Sequence, residues 1–335
     1  MDSAKPNARP NRPANAPPFT SFAASEADAL AASLAPIVPG AEVSPLRGST
    51  LRAQVTATSA ADVGIFTTRF SNVHVTFPEE RPFIGATIPL RGACRMAGNG
   101  TPLDVVPGRF HVVEGHKSFD AQMTDDACEF LAVTVGNDKL RSVRSLLGGE
   151  PSRQIDLREH VSLHHPGARR FTRQACNLWR ELRHGMLPRS EIALQETIDR
   201  LVCSLVETSR SRGLDPREAS MPDRVAGLAA EYIVENLDRP LTLSELAANT
   251  GTSVRTLTRA FRRRFGTSPQ QFIRDRRLEA ANRALLVADA GDVTVTEIAM
   301  HFGFWHLGRF STYYRTVFGE SPSSTLGNEG TQLAF

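Results

Sequence analysis

The order of hydrophobic and polar positions changes character along the chain. Up to about residue 135, β-branched and aromatic residues recur in short runs, and clusters such as Ala97-Gly98-Asn99-Gly100 separate them. Short runs bounded by turn residues are typical of strands. Five strands are predicted in this way: Thr50–Thr58, Gly64–His74, Phe83–Met96, Arg109–Glu114 and Glu129–Val135. Several short strands at regular spacing indicate a sandwich or barrel.

Beyond residue 137 the pattern becomes helical, because apolar residues recur at spacings of three and four. Four helices are predicted before the C-terminal region: Asp138–Leu147, Phe171–Leu187, Glu191–Ser209 and Arg224–Asn236. The third carries a wide apolar stripe between Ile192 and Val206. This stripe has two interpretations: it packs on the β-domain of its own subunit, or it forms the interface of a symmetric dimer.

One supersecondary unit occurs twice near the C-terminus. Ser244-Glu245-Leu246-Ala247 aligns with Thr296-Glu297-Ile298-Ala299 at an offset of 52 residues. Phe265-Gly266 aligns with Phe318-Gly319 at an offset of 53, so the second copy contains one inserted residue. A shared pattern over this length predicts that both copies have the same fold.

Each copy reads as a short helix, a tight turn and a second helix. In the first copy Gly251 occupies the turn, where a residue without Cβ is at little disadvantage. Ser253 is a candidate N-cap for the second helix, and Gly266 with Pro269 ends it. This pattern predicts helix-turn-helix units at about 243–265 and 295–318, and the second helix of such a unit enters the DNA major groove.

Arginine is concentrated in and after the first unit. From Gly251 to Arg283 there are nine arginines and two acidic residues, which gives a charge of +7, whereas the whole chain has +3. Such concentration is typical of phosphate neutralisation, and guanidinium groups also reach guanine edges. The nine side chains are predicted to form one outward DNA-binding face. They are Arg255, Arg259, Arg262, Arg263, Arg264, Arg274, Arg276, Arg277 and Arg283.

The second copy also carries a specific motif. From Ile298 to Pro322 the chain reads I-A-x-x-x-G-F-x-x-x-x-x-F-S-x-x-Y-R-x-x-F-G-x-S-P. This run resembles the signature of the AraC/XylS family of bacterial transcription regulators, and G-F-W-H-L-G-R-F-S is similar to the wording of the XylS-type branch. The resemblance covers about residues 224–326. It implies that a long helix, here Pro269 to about Val287, joins the two units, and that both recognition helices enter successive major grooves of double-stranded DNA.

The resemblance also implies roles for individual residues. Base contacts fall on Arg255, Thr258 and Arg259 in the first recognition helix, and on Leu307, Gly308 and Thr312 in the second. Phosphate contacts are predicted for Arg262, Arg263, His306, Arg309 and Arg315. Since Leu307 and Gly308 offer no side-chain hydrogen bond, we expect unequal roles, in which the first helix specifies the sequence and the second mainly anchors. RNA polymerase is a further implied partner.

Beside such a domain, the N-terminal strands resemble the cupin-type barrel with which XylS-like regulators sense ligands. A sensor needs an apolar pocket with a few fixed polar groups. The predicted aromatic walls are Phe66, Phe70, Phe77, Phe83, Phe110, Phe119 and Phe130. Arg69, Arg91, Arg95 and Arg109 are candidates to bind a carboxylate effector. Because XylS-like regulators respond to various small molecules, aromatic acids among them, the resemblance makes an aromatic carboxylate the favoured effector.

Few residue patterns in the sequence indicate catalysis or metal binding. His111, Glu114 and His116 lie close in sequence, but His111 and Glu114 would point to opposite faces of a regular strand. The four cysteines are far apart and contain no C-x-x-C pair, which argues against a zinc site or a disulfide framework. No phosphate loop, dinucleotide motif or nucleophile motif is present. The chain is predicted to be no enzyme and to need no cofactor or metal.

The predicted protein is of the α+β class with two domains. A disordered tail (1–18) precedes a cupin-like β-barrel with a helical dimerisation segment (19–210), a linker (211–223), an all-α, homeodomain-like double helix-turn-helix domain (224–326) and a tail (327–335). The polar residues after Pro322 are expected to be disordered. Without an apolar run or signal core, a cytoplasmic homodimer with no membrane contact is expected.

The predicted function is a sequence-specific transcription regulator, an effector-responsive activator of a catabolic or related operon. Two alternatives stay open. One is a regulator or architectural DNA-binding protein without a small-molecule effector. The other is a cupin enzyme fused to a DNA-binding domain.

Overall fold

The N-terminal half of the computed structural model is built from β-strands. The structure describes residues 19–35, 37–38, 40–46, 50–60, 62–79, 81–92, 94–98, 101–115, 118–123, 128–147, 160–163, 165–184, 190–210, 221–288 and 291–327. The strands are β1 (Thr20–Ala24), β2 (Glu42–Pro45), β3 (Arg52–Ala60), β4 (Val63–Ser71), β5 (Val73–Phe77), β6 (Phe83–Arg91), β7 (Cys94–Gly98), β8 (Thr101–Val105), β9 (Arg109–Val113), β10 (Phe119–Met123), β11 (Cys128–Gly136) and β12 (His160–Ser162).

These strands form two antiparallel sheets that share one apolar core. The larger sheet has the order β1-β3-β4-β11-β6-β9-β12, and the smaller has the order β2-β5-β10-β7-β8. Side chains from both sheets, Val55, Phe66 and Phe130 on one side and Val75 and Met123 on the other, meet in the core between them. The sequence predicted a sandwich or a cupin-like barrel; the described strands form a β-rich domain of two sheets that pack face to face, and neither sheet closes on itself.

Two of the predicted strands are each divided in the structure. Gly64–His74 is interrupted at Asn72, whose φ of 57° is left-handed, so that β4 and β5 belong to different sheets. Phe83–Met96 is interrupted in the same way at Gly92, with φ 70°, between β6 and β7. A left-handed residue turns the chain sharply, and Asn and Gly tolerate that conformation best. Strands β1, β2, β8, β10 and β12 were not predicted.

Helices cover the outer face of the larger sheet. They are α2 (Asn137–Leu146), α3 (Pro166–His184) and α4 (Glu191–Arg210), whereas α1 (Ala27–Leu34) supplies Leu30 and Leu34 to the core between the two sheets. Ile198, Val202 and Val206 of α4 are buried in the core with α3 and the sheet, while Ile192 is 73% exposed. Most of the apolar stripe of α4 therefore packs within its own subunit, which is the first of the two interpretations.

The C-terminal half is entirely helical. Its helices are α5 (Met221–Glu235), α6 (Leu243–Asn249), α7 (Val254–Phe265), α8 (Pro269–Val287), α9 (Val295–His301), α10 (Leu307–Phe318) and α11 (Pro322–Gly327). The joining helix α8 has the predicted bounds and supplies Phe272, Leu278 and Leu285 to a core shared by both helix-turn-helix units. The disordered tail predicted after Pro322 is wrong for residues 322–327, because these form α11.

Helix α8 also holds the two halves of the chain together. Leu286 and Val287 at its end belong to the hydrophobic core of the N-terminal half. Arg283 is 6% exposed and donates to the Pro107 carbonyl at 3.2 Å. The turn between β8 and β9 fits so closely against α5 that a Cβ at Gly108 would lie 1.7 Å from the Val234 carbonyl oxygen. The halves therefore share an interface with no room for a larger side chain at residue 108.

Several predictions concern residues that the structure does not describe. The N-terminal tail (1–18), most of the linker (residues 211–220) and residues 328–335 lie outside the described residues, as does His116. Among the described helices, none is long and apolar enough to cross a membrane. Within the same residues no group of three His, Cys, Asp or Glu side chains is placed to hold a metal ion.

Candidate nucleic-acid interface

The first helix-turn-helix unit begins at Thr242, whose side chain accepts from the Glu245 amide and caps α6. The chain turns at Gly251, with φ 62°. Ser253 then caps α7 by accepting from the Thr256 amide, as its sequence position predicted. Helix α7 buries Leu257 and Phe261 and ends at left-handed Gly266. Packing thus fixes one face of α7 and leaves the other in solvent.

The second unit repeats this construction with a longer turn. Thr294 and Glu297 form a reciprocal capping box at the start of α9, and the chain turns at Gly303 with φ 76°. Helix α10 is 12 residues long, like α7, and starts 53 residues after it. Because α9 starts 52 residues after α6, the inserted residue lies in the turn. The cap of α10 is His306, whose side chain makes no capping hydrogen bond.

The residues predicted to contact bases lie on the solvent side of both recognition helices. Arg255 and Arg259 are exposed on α7, and Thr258 beside them donates its hydroxyl proton to the Val254 carbonyl at 2.8 Å. On α10, Leu307, Gly308 and Thr312 are exposed. The Thr312 hydroxyl donates in the same way, to the Gly308 carbonyl at 2.9 Å. Two guanidinium groups on α7 therefore correspond to an exposed glycine and a short hydroxyl on α10.

The residues predicted to contact phosphate are also at the surface. Arg262, His306, Arg309 and Arg315 are exposed. Arg263 is exposed as well, and its guanidinium lies 3.7 Å from the Asp223 carboxylate of α5. Helix α7 has five arginines and no acidic residue, whereas α10 has two arginines and no acidic residue. The positive field is therefore concentrated on the first unit.

The prediction of one face of nine arginines is wrong. Arg264 donates to the Asp223 carbonyl at 2.6 Å, and Arg277 donates to the carbonyls of Leu237 and Arg239 at 3.0 and 2.6 Å. Arg276 is half-buried and pairs with Glu279 at 2.8 Å. Burial lowers the pKa of Arg276, Arg277 and Arg283. These guanidinium groups satisfy buried carbonyls and carboxylates inside the fold and are not available to a duplex.

The N-terminal half contains a cavity between its two sheets. Six of the seven predicted aromatic residues line it, namely Phe66, Phe70, Phe77, Phe83, Phe119 and Phe130. Phe110 instead faces α3, with its ring centroid 5.0 Å from that of Phe171. The cavity is almost wholly apolar, and its charged lining residue, Arg81, was not among the predicted candidates.

The four arginines predicted to bind a carboxylate lie elsewhere. Arg69 and Arg91 are on the outer face of the larger sheet, 2.8 and 3.7 Å from the Glu129 carboxylate. Arg109 forms an ion pair with Glu235 of α5, and Arg95 is exposed on β7. The structure thus brings Arg69 and Arg91 together around an acid, and places none of the four in the cavity between the sheets.

A polar cleft separates the larger sheet from the C-terminal half. Arg69 and Glu129 line it on the sheet side, Arg183 on α3, and Val287 and Asp292 on the other side. Arg183 donates to the Val287 carbonyl at 3.4 Å. No sequence pattern predicts this cleft, because residues far apart in the chain come together only when α8 packs on the sheet.

Taken together, two exposed recognition helices on one shared core, with an arginine-rich face on the first, define a DNA-binding protein of the double helix-turn-helix class. A helix-turn-helix domain family matches residues 246–328, and the family described as an AraC-binding-like domain matches residues 23–206. Since the latter spans more than half of the chain, the protein belongs to the AraC family of transcription regulators.

Three relatives illustrate the extent of the similarity. The probable thc operon regulatory protein of Rhodococcus erythropolis is 39% identical over 117 residues, 35% of each chain. The XylDLEGF operon transcriptional activator of Pseudomonas putida is 44% identical over 96 residues, 29% of this chain and 30% of its own. The XylDLEGF operon transcriptional activator 3 of the same organism is 28% identical over 258 residues, 76% of each chain. For the first two, the match spans about a third of the relative's length.

Proposed function

We propose that the protein is a sequence-specific, effector-responsive activator that controls a catabolic or related operon. The observation that carries this proposal is the duplicated unit, in which α7 and α10 each leave one face exposed beside a common core. The relatives that bear activator names support the choice of an activator of operons. Arg255, Thr258 and Arg259 would read bases, and Leu307, Gly308 and Thr312 would fit the second groove with fewer polar contacts.

We infer that the second unit also contacts RNA polymerase. Five large apolar side chains of this unit are exposed, Met300, Trp305, Leu307, Tyr313 and Val317, whereas the first unit exposes only Val254 among its described residues. Apolar side chains gathered at the surface mark protein contacts more often than phosphate contacts. Those that do not face DNA are available to a protein partner bound beside the operator.

The effector would act from a cupin-like sensor domain in the N-terminal half. On β4, Thr68 borders both the cavity and the polar cleft, and Arg69 lines the cleft; on β11, Phe130 lines the cavity and Glu129 the cleft. A bulge in the pairing of β11 with β6 falls between Glu129 and Phe130. A ligand that moves either strand would therefore alter the surface on which α8 rests. Such a ligand shifts the equilibrium between two arrangements of the domains only because its affinity for the two arrangements differs.

Substitution at Gly108 tests this coupling. Gly108→Ala should separate the turn after β8 from α5, since its Cβ would meet the Val234 carbonyl. Gly291→Ala is the matched control, because nothing lies within 4 Å of a Cβ at that position. We expect proteolysis near residues 211–220 to become faster in the first variant alone. Equal proteolysis of both variants and the wild-type protein would contradict a coupled interface.

A homodimer in the cytoplasm remains a proposal. The exposed Ile192 is the part of the α4 stripe that is open to a second subunit, since the rest packs internally. Sedimentation of the full-length protein would decide the oligomeric state. The rival functions are separated by two simple assays: a ligand screen without any thermal shift would favour a regulator without an effector, and bound metal in the purified protein would favour a cupin enzyme.

The main test is capture of genomic fragments by the full-length protein at near-physiological salt, where purely electrostatic binding is weak. We expect enrichment of a few promoters that share a two-part site of roughly 20 base pairs. The Arg259→Ala variant serves as the control and should blur one position of that site. Uniform recovery without a shared motif, with or without candidate effectors, would overturn the proposal.

A further inference from the structure

The cavity between the two sheets has the lining of an aromatic binding site. Its six phenylalanines come from both sheets, and Phe77 and Phe119 stack at 4.1 Å between ring centroids with an interplanar angle of 9°. Phe70 and Phe130 meet edge to face at 5.7 Å. Flat and edge contacts of this kind suit a further aromatic ring, because aromatic pairs gain from both arrangements.

One polar group in this apolar space has no partner. Thr68 is 4% exposed, and its hydroxyl is buried with no hydrogen-bond partner in the part of the chain that the structure describes. Its side chain shares a face of β4 with Phe66 and Phe70 and lines the cavity with them. An unpaired buried hydroxyl is unfavourable, and a bound molecule that pairs with it removes that disadvantage.

Arg81 does not make the cavity a carboxylate site. Its Nη2 donates to the Glu114 carbonyl at 2.8 Å, and its Nη1 donates to the Pro78 carbonyl. Its guanidinium lies over the Phe119 ring, 5.1 Å from the centroid. Two of its five N–H donors are thus held by backbone carbonyls, which fix the guanidinium against the Phe119 ring. A carboxylate in the cavity could use only the donors that remain, and its charge would lose its hydration in an apolar space.

We propose that this cavity binds a small uncharged aromatic molecule with a single hydrogen-bonding group, and that Thr68 is the residue which recognises that group. The inference rests on the proposed effector-responsive function and replaces the aromatic carboxylate expected from the sequence. The free volume of about 60 Å³ is less than the roughly 150 Å³ of a cavity that holds benzene. Even a single ring needs more space than this, so the molecule has no more than one ring and its entry must move the surrounding side chains.

Three probes of nearly equal shape test the proposal: toluene, benzyl alcohol and benzoate. Binding to the full-length protein is measured by calorimetry. Benzyl alcohol is expected to bind most tightly, toluene roughly three- to tenfold more weakly because the Thr68 hydroxyl stays unpaired, and benzoate at least about 100-fold more weakly because its charge loses its hydration in an apolar cavity.

Substitutions of Thr68 separate recognition from packing. Thr68→Val keeps the shape and should remove the preference for benzyl alcohol over toluene, whereas Thr68→Ser should retain it. Without ligand, Thr68→Val should also raise the unfolding midpoint by roughly 2–4 °C, since it removes an unpaired hydroxyl. Thr56→Val on β3 is the matched control: that hydroxyl bonds to Ser21 at 3.1 Å, so its loss should stabilise nothing and leave probe binding unchanged.

Each other outcome contradicts the inference. Tightest binding of benzoate would show a charged ligand class, and no binding of any of the three probes would show that the cavity is not an aromatic site. An unchanged preference in Thr68→Val would remove Thr68 from recognition. In each case the capture of promoters by the ligand-free protein is measured separately, so failure of the ligand class is distinguishable from failure of the DNA-binding function.

Discussion

The two helix-turn-helix units share an interior and differ at their surfaces. Both second helices have 12 residues and end at a left-handed glycine. At the offset of 53, Leu257 corresponds to Phe310 and Phe261 to Tyr314, and all four side chains are buried. The exposed positions differ, because Arg255 corresponds to Gly308 and Arg259 to Thr312. Packing therefore explains the buried positions that the two copies share. Differences in function between the units must come from the exposed positions, which differ.

The difference suggests a division of labour between the units. The first offers four exposed arginines on its second helix, two of them at positions predicted to meet bases. The second offers two arginines beside exposed apolar side chains such as Trp305 and Val317. Guanidinium groups can read guanine edges through two hydrogen bonds, whereas a glycine and a leucine cannot. The first unit is thus suited to specificity, and the second to anchoring and protein contact.

The largest expected effect separates these roles directly. Arg259→Ala should weaken operator binding by about 1–3 kcal/mol and relax the requirement at one base position. Thr312→Ala, at the corresponding position of the second unit, should cost less than about 0.5 kcal/mol, because its hydroxyl already donates within α10. Titration of each variant against a set of operators with single-base changes measures the loss of binding free energy and the base requirement at each position. Similar losses at individual bases for the two variants would refute the division.

The next effect concerns stability and a polar difference between the two interiors. The Tyr314 hydroxyl donates to Thr325 at 2.9 Å and accepts from Asn282 at 2.6 Å, whereas Phe261 has no such group. Tyr314→Phe should lower the free energy of unfolding by about 1–3 kcal/mol, since it leaves a buried amide unpaired. Tyr313→Phe removes an exposed hydroxyl and is the control. Equal denaturation midpoints for the two variants would show that the buried hydrogen bonds are not needed.

Helix capping gives a smaller effect of known sign. Ser253→Ala should destabilise the protein by about 1 kcal/mol, because the Thr256 amide loses its capping oxygen. His306→Ala at the start of α10 should change stability by less than about 0.5 kcal/mol, as its side chain makes no capping bond. Chemical denaturation compares the two. A larger loss for His306→Ala would mean that the second unit depends on a contact of His306 that the cap geometry does not include.

The smallest effect should be shared by both units. Arg262 and Arg315 lie at corresponding positions of the two units. The substitutions Arg262→Ala and Arg315→Ala should each reduce the slope of log affinity against log salt concentration by about one. Neither should alter the preference among bases, because phosphate contacts carry no sequence information. Binding curves at several salt concentrations provide the slope. A changed base preference in either variant would move that arginine from anchoring to readout.

Much of this organisation was predictable from the sequence, and the exceptions have physical causes. The repeat, the bounds of α8 and the Ser253 cap follow from local patterns that the fold retains. The prediction that Arg277 and Arg283 lie on the DNA-binding face was wrong, because composition reveals neither burial nor bonds to backbone carbonyls. The unpaired Thr68 hydroxyl was equally hidden, since alternation along β4 does not reveal which face is inside.

The most direct test of the central claim is a complete single-base substitution profile of the operator, measured as binding free energies with the wild-type protein. The profile should have two parts, one under each recognition helix. Substitutions under α7 should cost about 1–3 kcal/mol at individual positions, whereas those under α10 should cost much less. Equal penalties in the two parts, or steeper penalties under α10, would contradict the account.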